Sequence, residues 1–501
     1  MRELEVLMNP NKLVQHLKKP ASEFTRYDII KYIDDNNIEM LNFRYVGEDG
    51  KLKTLNFVIT GKNYLESILS TGERVDGSSL FSYIHAETSD LYVIPRFSTA
   101  FVNPFTEKST LDIMCSFYTK EGKPLESAPE YILKKAHQVF KKETGYSFKA
   151  MGELEYYIIG KNDDLYPAVD QKGYHSSLPF TNYENLRLEA MQLIAQCGGK
   201  IKYGHSEVGN FKDGEFMYEQ HEIEFMPVDP EKAVEQLIVA KWILRMLGNK
   251  YGVLISFAPK ITVGKAGSGI HVHFQVDKDD INVMADEVGL TDVAKKVIAG
   301  ILDKAQSLTA FGNTIPTSYL RLVPHQEAPT MVCWGDSNRS VLVRVPLGWI
   351  AKTNMIKGAN PQERGEVPYI TGKQTAEFRV PDGSADLYHL FAGIILAAKE
   401  GILNPNALKR AKELYVNVNI FDDEHKDILD TLVALPTSCS QSADYLKKQR
   451  DFYEKENVFP KGTIDAFISK LKSYKDEKLS EELYGKKDKT KELVDKYIHC
   501  M

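Results

Sequence analysis

Cysteine is scarce and scattered in this chain. Cys115, Cys197, Cys333, Cys439 and Cys500 are the five in 501 residues, with no Cys-x-x-Cys spacing. That excludes a disulfide framework and a thiolate zinc site, and it suits a reducing compartment. Long apolar runs are missing as well. The most apolar stretch, Leu387–Ala398, is closed by Lys399 and Glu400 and is too short to cross a bilayer. The opening residues, MRELEVLMNPNKLVQHL, hold neither an apolar core nor a small-residue cleavage site, so no secretory leader is read there. The expectation is a cytoplasmic protein with no membrane partner. Neither charge sign dominates: 63 Lys+Arg against 69 Asp+Glu leave a formal net charge of −6, without the basic excess of a nucleic-acid binder. There is no repeat or low-complexity linker, and 43% apolar with 26% charged residues excludes a disordered or collagen-like chain. At roughly 100–200 residues per domain, the length suggests two to four domains.

Two kinds of periodicity divide the chain. Between residues 27 and 125, the apolar runs Leu41–Val46, Leu52–Thr60, Leu91–Pro95 and Leu111–Tyr118 are separated by turn clusters at Glu48–Gly50, Asp76–Ser79 and Lys120–Lys123, the pattern of short strands. From Ser127 the period becomes helical. Pro129 sits near a start, Ile132, Leu133, Ala136, Val139 and Phe140 repeat at helical spacing, and Gly145 marks a stop. A domain boundary is therefore placed near residue 125. Beyond it, strands are expected at Ser147–Ile159, Tyr218–Phe225 and Val341–Val345, and extended chain over Phe257–Val276. Helices are expected from Asp229-Pro230 to about Leu247, over Thr291–Phe311 and over Leu387–Ile402. The last 60 residues read as charged, solvated helix that includes Lys470–Lys491, and Pro361–Gly372 reads as a surface loop.

Chemistry concentrates on the expected strands. Glu153 and Glu155 lie two apart, so both point to one face of a strand. Like carboxylates held together are costly unless a cation or a proton intervenes. Gln220, Glu222 and Glu224 alternate in the same way, Glu207 follows Gly204-His205-Ser206, and Gly267-Ser268-Gly269 leads into His271 and His273 on one strand face. Many carboxylates with one or two imidazoles and no thiolates suit a hard divalent cation such as Mg²⁺ or Mn²⁺. Arg321, Arg339, Arg344 and Arg379 supply guanidinium forks that match carboxylate and phosphate oxygens. Carboxylates and arginines together fit phosphoryl transfer better than a metalloprotease. Any one of these residues alone would pass for a structural ion pair.

In order, DGSS (76–79), GELEY (152–156), HSEVG (205–209), EQHEI (219–223), GSGIHVH (267–273), RLVPHQEAP (321–329), NRSVLVRVP (338–346) and EFRVPDGSADLY (377–388) resemble glutamine synthetase, most of all its prokaryotic type I form. The likeness runs from about residue 40 to beyond 460. It implies an α+β chain with an N-terminal β-grasp domain (1–125, with an N-terminal extension) and a larger catalytic α/β domain on a curved antiparallel sheet (126–501). It also implies a homododecamer of two stacked hexameric rings, with active sites between neighbouring subunits. The implied substrates are ATP, glutamate and ammonium, with two or more Mg²⁺ or Mn²⁺ ions per site.

Carried over motif by motif, Glu155, Glu207 and Glu222 would hold the metal nearer glutamate, and Glu153, His271 and Glu377 the metal at the ATP phosphates. Arg321 and Arg379 would bind glutamate, with backbone near Gly267 approaching its amino group. Arg339 and Arg344 would stabilise the transferring phosphoryl group, and His273 would lie beside the nucleotide. Glu327 would close the site on a flap, and Asp76 of the adjacent subunit would bind ammonium and take its proton.

The chain departs from the family pattern at several positions. Ala266 stands where an Asn is usual, Arg96 and Ser116 where aspartates are common, Asp386-Leu387 where Asn-Pro is usual, and Thr375 where an Arg often serves nucleotide. The stretch between Arg344 and Glu377 is long. Ala266 leaves open a γ-glutamyl ligase that uses an amine or polyamine, which an acidic Asp76 argues against. A catalytically silent, structural or regulatory relative is disfavoured by six intact ligand positions. Tyr415 lies roughly where some type I enzymes are modified, but its surroundings differ, and a packing role is expected.

Overall fold

A computed structural model describes residues 6–84, 89–161, 165–166, 169–323, 328–348, 355–365 and 373–500. The N-terminal part is built on a six-stranded sheet ordered β2-β1-β6-β4-β3, with β5 on β6. The strands are β1 (Met40–Val46), β2 (Leu52–Val58), β3 (Glu73–Asp76), β4 (Asp90–Pro95), β5 (Phe101–Val102) and β6 (Thr110–Tyr118). The hairpin β1–β2 is antiparallel, and β1 then pairs with β6 in parallel. The helix Lys62–Thr71 joins β2 to β3 and buries Leu65, Ile68 and Leu69 in a core with Leu41, Phe43, Val93, Ile113 and Phe117. This is a β-grasp arrangement, as expected. Alternation on β1 sends Leu41 and Phe43 to that core and leaves Asn42 and Arg44 for the other face, where Arg44 lies 4.8 Å from the ring centre of Trp242.

The second sheet has nine strands in the order β13-β14-β15-β11-β7-β9-β8, with β10 on β7 and β12 on β11. They are β7 (Ser147–Lys161), β8 (Ile201–Asp213), β9 (Phe216–Phe225), β10 (Leu254–Ser256), β11 (Ile270–Lys278), β12 (Ile281–Asn282), β13 (Trp334–Asp336), β14 (Val343–Val345) and β15 (Ala376–Phe378). All pairs are antiparallel except β13 with β14. Helices Pro129–Thr144, Pro230–Tyr251, Asp292–Gly312 and Leu387–Leu403 bury their apolar residues in one large core with the sheet. Pro at the first turn and Gly145 at φ 72° bound the first of these, as its sequence predicts. The helix Pro230–Tyr251 crosses so close to β7 that a Cβ on Gly152 would meet Leu237 at 2.8 Å. A side chain there would push the helix away from the strand segment that carries Glu153.

Two expectations needed revision. The charged C-terminal stretch is broken into several helices, the last of them Lys461–Ser473, Leu479–Leu483 and Lys487–Tyr497, with interruptions where Lys475 and Gly485 adopt φ of 54° and 71°. Residues 257–269 are irregular rather than extended, because Pro259, Gly264, Gly267 and Gly269 break the ladder before β11 starts at Ile270. The long strand β8 was not read from periodicity at all. Of the expected loop 361–372, only residues 361–365 are described, and they are exposed. Among the described residues no helix is long and apolar enough to cross a membrane.

Candidate active site

Strand register puts the singled-out side chains in one row. On β7, Glu153 stands opposite His271 of β11 on one side and Glu224 of β9 on the other. Glu155 stands opposite Glu222, which in turn faces His205 of β8. His273 faces Glu377 of β15, and Glu377 faces Arg344 of β14. Directly paired residues share a sheet face, so six strands deliver carboxylates, imidazoles and a guanidinium to the face opposite the helices.

The contacts are short. Glu153 receives His271 Nδ1 at 2.9 Å and His273 Nε2 at 2.8 Å. His271 Nδ1 is also 3.2 Å from Glu377, whose oxygens accept from Arg344 at 3.0 Å and from Arg379 Nε at 3.0 Å. Burial opposes ionisation of Glu153, but the charge of His273 and the bonds from both histidines outweigh it and hold the carboxyl well below its ordinary value. Burial and Glu153 likewise work against Glu377, yet Arg379 and His271 bring it down to about 2. His271 is correspondingly pushed up to about 9: burial disfavours its cation, and Glu153 and Glu377 more than compensate.

The other end of the row has fewer cations, Lys202 reaching Glu224 Oε1 at 2.6 Å. Glu155 accepts the Gly269 N–H at 2.7 Å and Gln220 Nε2 at 3.2 Å, and His271 Nε2 is 3.8 Å away. His205 lies 3.6 Å from Glu222 and 3.8 Å from Glu207, and burial lowers its pKa, which disfavours its cation. Glu222 is raised well above the carboxylate range by burial and then by Glu153, Glu155, Glu207 and Glu224. The buried Oε2 of Glu224 has no hydrogen-bond partner. An orphaned carboxylate oxygen among repelling carboxylates is the environment that a divalent cation relieves. Ligand atoms converge within 4.8 Å in three groups of this row: Glu153–His273–Glu377, Glu153–Glu222–Glu224 and His205–Glu207–Glu222. The donor set, oxygen-rich with imidazole, fits Mg²⁺ or Mn²⁺.

Most of the residues singled out in the sequence meet here. A cavity of about 180 Å³ opens on Glu155, Glu207, Gly267, His271, Arg321 and Arg379. Gly267 is needed where it stands, since a Cβ would lie 2.5 Å from the Pro259 carbonyl. Arg321 donates to the Val380 carbonyl at 2.8 Å and the Arg379 carbonyl at 3.2 Å, and lies 3.3 Å from His271 Nε2. Arg339 is exposed, with its carbonyl held by Arg379. His273, expected beside nucleotide, is buried, bonded to Glu153 and at 2.9 Å to Thr375. Asp76 lies in the other sheet at the end of β3, exposed, where it accepts from Ser78 N–H at 3.0 Å and from the hydroxyls of Ser78 and Ser79. Glu327 lies outside the described residues.

Some residues at the site were not assigned from sequence. His205 and Glu224 enter the ligand groups, and both had the signal, each two positions from an assigned glutamate. Gln171 and Lys265 line the cavity, and their sequence context carries no comparable pattern. Tyr415 is away from this cavity, its hydroxyl 3.1 Å from Asp336 and its ring against Trp334.

Comparison with known proteins bears on the whole chain. The family description "Glutamine synthetase, catalytic domain" matches residues 126–484, and "Glutamine synthetase, beta-Grasp domain" matches residues 37–120. A glutamine synthetase of Thermotoga maritima is 29% identical over 428 residues, covering 84% of this chain and 89% of its own length. One of Methanococcus maripaludis is 30% identical over 384 residues, covering 74% and 79%. In fold, the chain resembles Plasmodium falciparum glutamine synthetase, with a TM-score of 0.73 at 21% identity over 90% of this chain and 96% of the other. It also resembles GmaS solved with ADP, at 0.72 and 17% over 89% and 94%. With the β-grasp sheet, the carboxylate row and these matches over most of its length, the chain belongs to the glutamine synthetase family.

Proposed function

We propose that this ligase-family chain joins ammonia to L-glutamate at the expense of ATP, giving L-glutamine, ADP and phosphate. The observation that carries the reading is the buried row of carboxylates and imidazoles flanked by arginines, open to a cavity of glutamate size. A carboxylate is a poor acyl donor because oxide does not leave. Transfer of the ATP γ-phosphoryl group to the γ-carboxylate oxygen releases ADP and forms an acyl phosphate. The nitrogen of ammonia then attacks the carbonyl carbon, and phosphate departs with the bonding electron pair.

Glu155, Glu207 and Glu222 on one side, and Glu153, His271 and Glu377 on the other, would hold divalent cations, with His205, His273 and Glu224 close enough to share them. Bound there, the cations supply charge neutralisation at the phosphates. The chain's own residues orient and bind. Arg321 and Arg379 face the acid substrate, while Arg344, on Glu377, and the exposed Arg339 stand where the transferring group's charge develops. The GmaS neighbour, solved with ADP, supports a nucleotide on this fold. Asp76 would serve a neighbouring subunit's site as ammonium receptor and proton acceptor, in a homododecamer of β-grasp units (1–125) and catalytic units (126–501) within the cytoplasm, with Glu327 as the closing residue.

Ala266 favours one second reading, a γ-glutamyl ligase for amines, because its small side chain leaves room at the cavity wall. The deciding experiment measures ADP release with Mg²⁺ and glutamate against ammonium, methylamine and a diamine. Ammonium is expected to give the highest kcat/KM. A preference for an amine would establish the second reading, and no glutamate-stimulated turnover with any acceptor would overturn both.

A further inference from the structure

The cavity beside the carboxylate row holds a cation to which none of the motifs gives a role. Lys265 lines it together with Gln171, Ala266, Arg321 and Arg379. The two arginines are heavily committed to protein partners: Arg321 to the carbonyls of Val380 and Arg379, and Arg379 to Glu377 and the Arg339 carbonyl. Lys265 is held differently. Its ammonium pairs with Asp170, whose side chain is 58% exposed, and lies 5.8 Å from the centre of the Phe211 ring. With the Lys265 side chain 27% exposed and Asp170 more than half exposed, solvent screens the pair from one side, and at the fully exposed limit such a pair is worth about 0–1 kcal/mol. An anion inside the cavity, where water is partly excluded, competes with Asp170 at an advantage.

The backbone that carries this ammonium is pinned on both sides. The Lys265 carbonyl accepts from the buried Lys260 ammonium at 2.6 Å. The Ala266 N–H donates to Gln171 Oε1 at 2.8 Å, and the Ala266 carbonyl accepts from the Tyr157 hydroxyl at 2.8 Å. A fixed stem with an exchangeable charge is the arrangement of a recognition residue rather than of a loop clamp.

Resting on the ligase reading above, we propose that Lys265 selects the acid substrate: its ammonium leaves Asp170 and receives the α-carboxylate of glutamate, the carboxylate that is not activated. The site then takes a dicarboxylic amino acid in preference to an otherwise similar ω-amino monocarboxylate.

The test uses the full-length protein with Mg²⁺, ATP and ammonium, and compares glutamate with 4-aminobutyrate, which lacks the α-carboxylate, as substrate or competitive inhibitor. Lys265→Met is expected to raise the glutamate KM about 10- to 100-fold, the loss of one charge-assisted hydrogen bond. Its kcat and ATP KM should change less than about two-fold, and its response to 4-aminobutyrate should match wild type. Lys265→Arg is expected to restore most of the glutamate affinity. Asp170→Asn should leave the glutamate KM unchanged or lower it, since it frees the ammonium. The assignment is overturned by a wild-type glutamate KM in Lys265→Met, by equal losses for 4-aminobutyrate, or by Asp170→Asn copying the Lys265→Met defect. Those outcomes leave the ligase reading standing. Wild-type protein without glutamate-dependent ATP turnover removes that reading, and this assignment with it.

Discussion

Both sheets of this molecule bury carboxylates, and they treat them in opposite ways. In the N-terminal sheet, Asp112 is fully buried and accepts from Arg44 Nε at 2.7 Å, from Asn42 at 2.7 Å and from Asn103 at 3.1 Å. Burial pushes its pKa up, and Arg44 with the two amides pulls against that. One acid meets one guanidinium and two amides, which is a structural solution. In the catalytic sheet, Glu222 has four carboxylates for neighbours, and a buried oxygen of Glu224 is left without a partner. The second arrangement is unfavourable by itself and makes sense as a receptor for added charge. What separates a structural from a functional buried acid here is therefore not depth but the balance of donors against acceptors.

The largest expected effect comes from disturbing the functional side. Glu153→Gln and Glu222→Gln should each cut ligase turnover by about 100-fold or more, the scale at which disturbing a metal-site residue costs function. Glu222→Gln should melt no lower than wild type in the absence of divalent cations, because burial and its carboxylate neighbours already disfavour a charge there, whereas Glu153→Gln gives up its pairing with His271 and His273 and should melt lower. A lower cation-free Tm for Glu222→Gln would mean that the row is a structural network like the one around Asp112.

Next in size is the converse change. Asp112→Ala strands a buried Arg44 and should cost about 3–5 kcal/mol of stability in urea melts, while protein that remains folded keeps its turnover per mole. A selective loss of activity at unchanged stability would erase the distinction.

A smaller effect sharpens the comparison by adding the missing charge. Mg²⁺ at about 100 times its dissociation constant should stabilise wild type by about 2.7 kcal/mol. Chelation should reverse the shift, Glu222→Gln should reduce it, and Asp112→Asn should leave it intact. An equal Mg²⁺ shift in all three proteins would place the ion elsewhere.

The smallest effect concerns a buried cation between these extremes. Lys241 is buried with its ammonium on the Gly383 carbonyl at 2.7 Å, and burial followed by the charge of Arg245 lowers its pKa to about 7. From about pH 7 to its ordinary value near 10.4, the unfolded chain holds the extra proton. Stability from this group therefore rises with pH across that window, is complete above it, and is lost as pH falls to 7. The slope is at most about 1.4 kcal/mol per pH unit. Lys241→Met should flatten it, and an unchanged pH profile in denaturant melts would show that Lys241 stays charged in the fold.

Much of this was legible in the residues. Ile132, Leu133, Ala136 and Phe140, with Pro129 near the start and Gly145 as the stop, gave their helix, since capping and period are local properties. The pairs Glu153/Glu155 and Glu222/Glu224 announced shared strand faces for the same reason. Strand β8 stayed hidden because Ile201–Asp213 is rich in Lys, Gly, His and Asn. It is held by pairing to β9, with register shifts at two places, rather than by strand propensity. The broken C-terminal helix was missed because a charged helical composition does not show where Lys475 or Gly485 turns left-handed.

By itself the sequence determined which side chains share a strand face, where the four longest described helices lie, and that oxygen and imidazole rather than sulfur would meet any metal. Only the tertiary structure decided which faces meet: that Glu153 lies between His271 and Glu224, that His273 is bonded to Glu153 and Thr375, and that Lys265 lines the same cavity as Arg321. Alternation is a consequence of backbone geometry within a few residues, so it can be read along the chain. Strand order and register are chosen by burying the apolar face of β7 against the helix Pro230–Tyr251. The raised pKa of Glu222 then follows from its burial and from carboxylates brought to it across the sheet, interactions that exist only once the sheet has closed.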